Sequence, residues 1–300
     1  MTILDARTVA AGDPQGKPQS GWQARLDLRF EADAGGARLV RNHHEGPLRL
    51  LKPLRSEDGR RLEAVIVHPP GGLVGGDSLS LDLHVGAGAR VLATTPGAQK
   101  WYRAEQEASV ATCLTVAQGG SLEWLPQPSI VFDQARARQS LSLDVAPDAS
   151  SIGWEMLIRG RAAMGERFEA GRIEQRLSIS VAQVPLWQEI LHADAGDRLF
   201  DSPLGWNGRL AAASVWCCAP ALAPAQLLAL RDEWRSLLRG EGAAPPVPAA
   251  GATIAAQGLL LAKILADDSE DLLSCCQQLW RVARTSLEND AGSLPRIWRT

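Results

Sequence analysis

The chain has few of the residues that gripping a polyanion or crossing a membrane requires. Lysine and arginine (31) do not outnumber aspartate and glutamate (34), giving a formal net charge of −3 over 300 residues. Nucleic-acid binders normally carry a basic domain or stripe, so neither nucleic acid nor an anionic membrane surface is an expected partner. Long uninterrupted apolar runs are missing too. Two windows, 210–230 and 242–262, hold no charged residue, but Pro220 and Pro224 interrupt the first and Pro245, Pro246 and Pro248 the second. Neither offers a continuous apolar helix of bilayer length. Met1 to Arg7 carries Asp5, and no apolar stretch of signal-peptide length precedes the polar segment Ala11 to Ser20. The expectation is a cytoplasmic protein with a flexible tail over 1–20.

Cysteine is scarce and badly spaced for cross-links. The five are Cys113 and the adjacent pairs Cys217-Cys218 and Cys275-Cys276, an odd number with no Cys-x-x-Cys. Buried reduced thiols are expected, with a metal or redox role the alternative. Catalytic patterns are equally absent. There is no Gly-x-Ser-x-Gly elbow, and the five histidines show no spacing with a nucleophile. The acid pairs Glu57-Asp58 and Asp267-Asp268 read as a solvated turn and a helix start.

Glycine is where the chain is dense. His68-Pro-Pro-Gly-Gly-Leu-Val-Gly-Gly-Asp77 looks like a phosphate cradle, yet Gly76 is followed by Asp77 and Ser78 where a P-loop needs Lys and a hydroxyl. Ser78 to Val85 alternates apolar and polar, so the loop joins two strands instead of opening a helix. Four glycines that accept positive φ point to close backbone packing.

From Trp22 to about Ala193 the apolar period is mostly two, broken by turn signals at Gly35-Gly36, Asp58-Gly59, Gly86-Ala-Gly88 and Gly119-Gly120. This predicts a mainly β fold: a β-helix-like or stacked-sheet body of many short strands over about 21–220. Two α-helices are predicted in the C-terminal third, at about 224–239 and 268–285. Pro224 suits a first turn, and Asp267-Asp268-Ser269 suits an N-terminal end. Thr253 to Leu265 favours a hairpin, and 240–250 reads as a linker.

Metal-ligating types are present but scattered. His43-His44-Glu45 places neighbouring side chains on opposite faces of a strand, whereas Asp82 and His84, at i and i+2, share one. No HxH, HxxxH or Cys/His cluster exists. Ten tryptophans stand against one tyrosine and four phenylalanines. Most are expected in the core, some in docking surfaces.

Five blocks together carry a resemblance. His44-Glu-Gly-Pro-Leu-Arg-Leu-Leu-Lys-Pro-Leu54, the His68–Asp77 loop, Thr94-Thr-Pro-Gly-Ala-Gln-Lys-Trp-Tyr-Arg103, Leu122-Glu-Trp-Leu-Pro-Gln127 and Pro295-Arg-Ile-Trp-Arg299 are similar, in order and spacing, to the urease accessory protein family UreD, also called UreH. Trp101, where Phe is usual, and Pro128-Ser129, where a Glu-containing pair is expected, depart from the pattern. The resemblance implies a single domain over 21–300 with a short C-terminal tail, and a non-enzymatic scaffold for inserting nickel into urease. It implies a hetero-oligomer with UreF, with the GTPase UreG through UreF, and with apo-urease subunits. It also implies an internal path for Ni²⁺ in transit, with no tightly bound cofactor.

The motif residues expected at a partner surface or along the path are His68, Gly71, Gly72, Gly75, Gly76, Asp77, Thr94, Thr95, Lys100, Tyr102, Arg103 and Trp298. Asp77, Asp82, His84 and His44 are the candidates for weak metal contact, and no catalytic residue is expected. The two helices and the tail Arg296 to Thr300 are expected to face a partner or dock on the chain itself. The alternative is an enzyme that binds a nucleotide or another phosphate compound at loop 68–77.

Overall fold

A computed structural model describes residues 21–34, 36–57, 59–241, 247 and 249–299. The expected flexible tail 1–20, residues 242–246 and 248 of the expected linker, and Thr300 lie outside the described residues.

Among the described residues the chain forms eighteen strands and two α-helices. The first nine strands are β1 Gln23–Glu31, β2 Arg38–Glu45, β3 Arg49–Leu50, β4 Leu54–Arg55, β5 Leu62–Val67, β6 Ser78–Val85, β7 Arg90–Thr94, β8 Gln99–Trp101 and β9 Ala108–Val116. They are followed by β10 Ser121–Leu125, β11 Ser129–Val131, β12 Arg136–Val145, β13 Ser150–Arg159, β14 Arg172–Val181, β15 Val184–Asp194 and β16 Ala211–Cys218. Helix α1 Pro224–Leu238, the hairpin β17 Ala249–Ala256 and β18 Leu259–Ala266, and helix α2 Ser269–Glu288 complete the order.

The body is β-helix-like. From β5 to β14 the chain passes back and forth between two facing sheets. One holds β1, β6, β9, β12 and β14 in parallel, edged by antiparallel β2 and β15; the other holds β5, β7, β10 and β13 in parallel, continued antiparallel by β16, β18 and β17. Short β11 pairs with β8 on one side and with the end of β13 on the other, forming a narrow third side. The strand-bearing part therefore runs past residue 220, because the hairpin at 249–266 extends the second sheet.

Residue pattern explains which strand lies where. Strands of the first sheet alternate, as in Ser-Leu-Ser-Leu-Asp-Leu-His-Val, since one face meets the other sheet and one meets solvent. Leu28, Leu83, Leu114, Leu143 and Ile179 stand in register across five strands and are all buried. Strands β10, β13, β16 and β18 instead read as nearly continuous apolar runs. They form the middle layer, covered by the first sheet on one side and by the helices on the other.

The helices are fixed by caps and by buried polar contacts. Asp268 caps α2, accepting from the Glu270 and Asp271 amides at 2.7 and 3.1 Å, and Asn289 ends it in the left-handed region. Trp234 of α1 donates to the Leu279 carbonyl at 3.0 Å, joining the two helices. Below α2, Glu123 accepts from Trp280 at 3.1 Å and pairs with Arg61 at 2.9 Å and Arg284 at 3.5 Å. Burial raises the Glu123 carboxyl against the opposing pull of Arg61 and Arg284. The cluster ties helix to sheet.

The in–out alternation is testable on two adjacent residues. Leu83→Ala is expected to lower unfolding free energy by about 2–5 kcal/mol through an interior cavity, and His84→Ala, on the outer face, by less than about 0.5 kcal/mol. Urea denaturation measures both.

Candidate functional site

The interior is mostly apolar, and one polar strip crosses it. In the first sheet, the inward position filled by Leu79 on β6 and Val110 on β9 becomes Gln139 on β12 and Gln175 on β14. Facing it, β13 places Glu155 inward between the outward-facing Trp154 and Met156. Glu155 is 6% exposed. It accepts from Trp124 Nε1 at 3.1 Å and from the amides of Gln139 and Gln175. Ser129 donates to Gln139 Oε1 at 2.8 Å.

Glu155, Gln139, Trp124 and Ser129 border a cavity of about 320 Å³ between the sheets. His68, Gly71, Gly72, Thr95, Gln99, Thr112, Gln127, Ser129, Gln139 and Glu155 line it alongside Leu79, Leu81, Val110 and Trp124. No basic side chain is paired with Glu155 among the described residues, and burial pushes its carboxyl up to about 7, with the charge of Glu189 adding to the shift. His68 Nε2 is buried without a hydrogen-bond partner, and burial lowers the imidazole, against the pull of Asp77. His68 is therefore neutral near pH 7, and its ring nitrogen stays available as a donor atom.

The expected motif residues divide by location. His68, Gly71, Gly72 and Thr95 reach the cavity. Thr94 lies behind it, donating to the Leu125 carbonyl at 2.6 Å and accepting from Trp298 Nε1 at 3.0 Å. Trp298 also packs on Trp154, ring centroids 6.2 Å apart, so the C-terminal tail docks on its own body. Tyr102 stacks edge-on against Phe132 at 5.1 Å and covers Gly72. Lys100 and Arg103 are exposed.

The glycine loop is packed against its own chain. A Cβ on Gly72 would fall 2.2 Å from the Tyr102 ring, and one on Gly75 would fall 2.8 Å from Ala104. Gly76 adopts φ 88° beside Gly21. Asp77, 2% exposed, accepts from the Trp22 amide at 2.7 Å and the Val74 amide at 2.9 Å. Its carboxylate closes the loop and pins the start of β1, leaving no ring of free amides for a phosphate. Loop 68–77 thus lacks the cradle that a phosphate-binding enzyme needs.

The metal candidates Asp82, His84 and His44 do not line the cavity. Asp82 and His84 project from the solvent face of β6, where Asp82 pairs with Arg25 at 3.4 Å. Burial and Arg29 lower the His84 imidazole. His44 and His43 sit on edge strand β2 opposite Leu26 and Asp27, hence on opposite faces. Among the described residues no three His, Cys, Asp or Glu side chains converge on one ion. Cys217, Cys218, Cys275 and Cys276 are free and buried, and burial raises Cys275 to about 11 and Cys218 to about 12. Such thiols are poor metal ligands and poor nucleophiles.

Sequence reasoning passed over Glu155, Gln139 and Gln175. The signal was there for Glu155: a lone acid inside Ile152-Gly-Trp-Glu-Met-Leu-Ile158. Ser129, at the bend where the family pattern is broken, still has a polar contact inside the cavity.

The family profile described as UreD urease accessory protein matches residues 23–299. A urease accessory protein UreD of Dechloromonas aromatica is 40% identical over 281 residues, spanning 93% of this chain and 95% of the relative. Proteins of the same description are 39% identical in Delftia acidovorans, spanning 94% and 95%, and 38% identical in Azoarcus sp. strain BH72, spanning 99% of both.

Two outcomes follow from the geometry. Asp77→Ala strands the part-buried Trp22 and Val74 amides and is expected to cost about 2 kcal/mol, whereas Asp77→Asn, which keeps an acceptor, costs less; thermal unfolding checks the order. Glu155 has its folded carboxyl raised from 4.5 to about 7. Its contribution to stability is complete below about pH 4.5 and lost as pH rises through about 7, a swing of about 3 kcal/mol. Glu155→Gln should flatten that part of the stability–pH curve, read by denaturant titration from pH 4.5 to 8.

Proposed function

This chain belongs to the UreD family of urease accessory proteins, and on that footing we propose that it carries nickel to apo-urease through the cavity at Glu155. Its role lies in urease maturation; it is an accessory protein, not an enzyme. It acts in the cytoplasm, in a hetero-oligomer with UreF and apo-urease subunits, with the GTPase UreG joined through UreF. No helix among the described residues is long and apolar enough to cross a membrane.

The observation that carries this reading is a buried carboxylate with no basic partner, set in a cavity among neutral donors. Ni²⁺ accepts carboxylate, amide oxygen, hydroxyl and imidazole ligands. Glu155, Gln139, Ser129 and His68 supply those types around one space. A cation entering there favours the ionised carboxylate and displaces its proton, so the hold strengthens as pH rises through about 7. Without a closed set of anionic ligands the hold stays weak. Transport needs this balance, since a site that binds tightly does not release.

The test is urease maturation with Glu155→Gln. Nickel content and activity of the urease formed are expected to fall about 10- to 100-fold, while co-purification with UreF and urease is unchanged. Full activation by the variant would remove the cavity from the nickel route.

A further inference from the structure

The polar strip does not stop at Glu155. On the inner face of the second sheet Glu155 of β13 lies in register with Ser214 of β16, and Ser214 with Lys263 of β18. Across the gap, Glu189 of β15 turns inward beside Leu177. Lys263 Nζ donates to Ser214 Oγ at 2.7 Å and forms an ion pair with Glu189. Ser214 Oγ in turn donates to Glu189 at 3.1 Å. The strip thus runs from the cavity to a sheet edge that ends in a carboxylate neutralised by an ammonium.

A divalent cation moving along this line reaches Glu189 only in competition with Lys263, because two cations on one carboxylate repel. The surroundings let the ammonium leave. The Lys263 side chain is 51% exposed and that of Glu189 25%, so their pair is weakened by solvent. The strand neighbour of Lys263 on β17 is Gly251, where a Cβ would meet nothing within 4 Å. With no side chain at Gly251, the half-exposed Lys263 chain has open space beside it on β17.

We propose that Lys263 is a displaceable gate on the cation path, holding Glu189 in the resting protein and yielding it to a divalent cation. The proposal rests on the reading of the cavity as a nickel route and adds the residue that sets how much nickel opens its edge. Lys263 is a competitor for the carboxylate, not a ligand. Removing its charge should make the path easier to load, the opposite of what removing a ligand does.

The experiment titrates nickel into apo-urease complexes assembled with the full-length chain and reads the concentration giving half-maximal activation. Lys263→Met should lower that concentration about two- to fivefold, the range expected for losing an exposed ion pair. Lys263→Arg, which keeps the charge, should leave it unchanged or higher. Gly251→Val, which fills the space beside Lys263, should raise it with Lys263 intact. Gel filtration confirms that each complex is assembled. An unchanged or higher half-activating concentration for Lys263→Met overturns the gate; so does an unchanged value for Gly251→Val if the methionine variant fails to assemble. Glu155→Gln run in parallel separates the two ideas. Full activation there removes the route itself, whereas lost activation with unmoved Lys263 and Gly251 titrations removes only the gate.

Discussion

Two sheets share one interior, and the side chains that point into it are what hold the sheets together. Every polar residue admitted there must find partners inside, because an unpaired buried amide or carboxyl costs several kcal/mol. Most inward positions obey by being apolar, as in the row Leu28, Leu83, Leu114, Leu143 and Ile179. The exceptions adjoin in two sets: Gln139 and Gln175 donate to Glu155, and in the next register position Ser214, Glu189 and Lys263 pair with one another. A scattered set of polar substitutions would weaken the core at each place. A connected strip concentrates them into one line that opens onto a cavity.

Three buried acids show how surroundings set the task of the same functional group. Glu123 faces Arg61, Arg284 and the Trp280 indole, so it is a fixed junction between helix and sheet. Asp77 is held by two backbone amides and shapes the glycine loop. Glu155 meets only neutral donors; burial, with the charge of Glu189 adding to it, raises its carboxyl to about 7 against the pull of those hydrogen bonds. Of the three, only Glu155 lines the cavity, where the proposed cation would supply its missing counter-charge. That asymmetry sets Glu155, the proposed cation contact, apart from the two structural acids more sharply than the presence of a carboxylate does.

Much of the architecture was legible in the residues. Period-two segments such as Ser78–Val85 and Arg172–Val181 became strands of the two-faced sheet, and Pro224 and Asp268 mark the helix starts. The chemistry was less legible, for a physical reason. Motif glycines announce themselves by composition, but their work here is close packing against Tyr102, Ala104 and Gly21. Asp82 and His84 share a face, and only the facing sheet decides that it is the solvent face. Glu155 and Gln139 lie 16 residues apart in sequence, and no local spacing announces a meeting made by strands of opposite sheets.

Anomalous diffraction at the nickel edge, from crystals of the protein exposed to Ni²⁺, tests directly whether the cation enters the body at Glu155. A nickel peak is expected inside the body, next to the Glu155 carboxylate and within reach of Gln139 and Ser129. Peaks confined to the outer faces, at Asp82 and His84 or at His43 and His44, with an empty cavity, would contradict it.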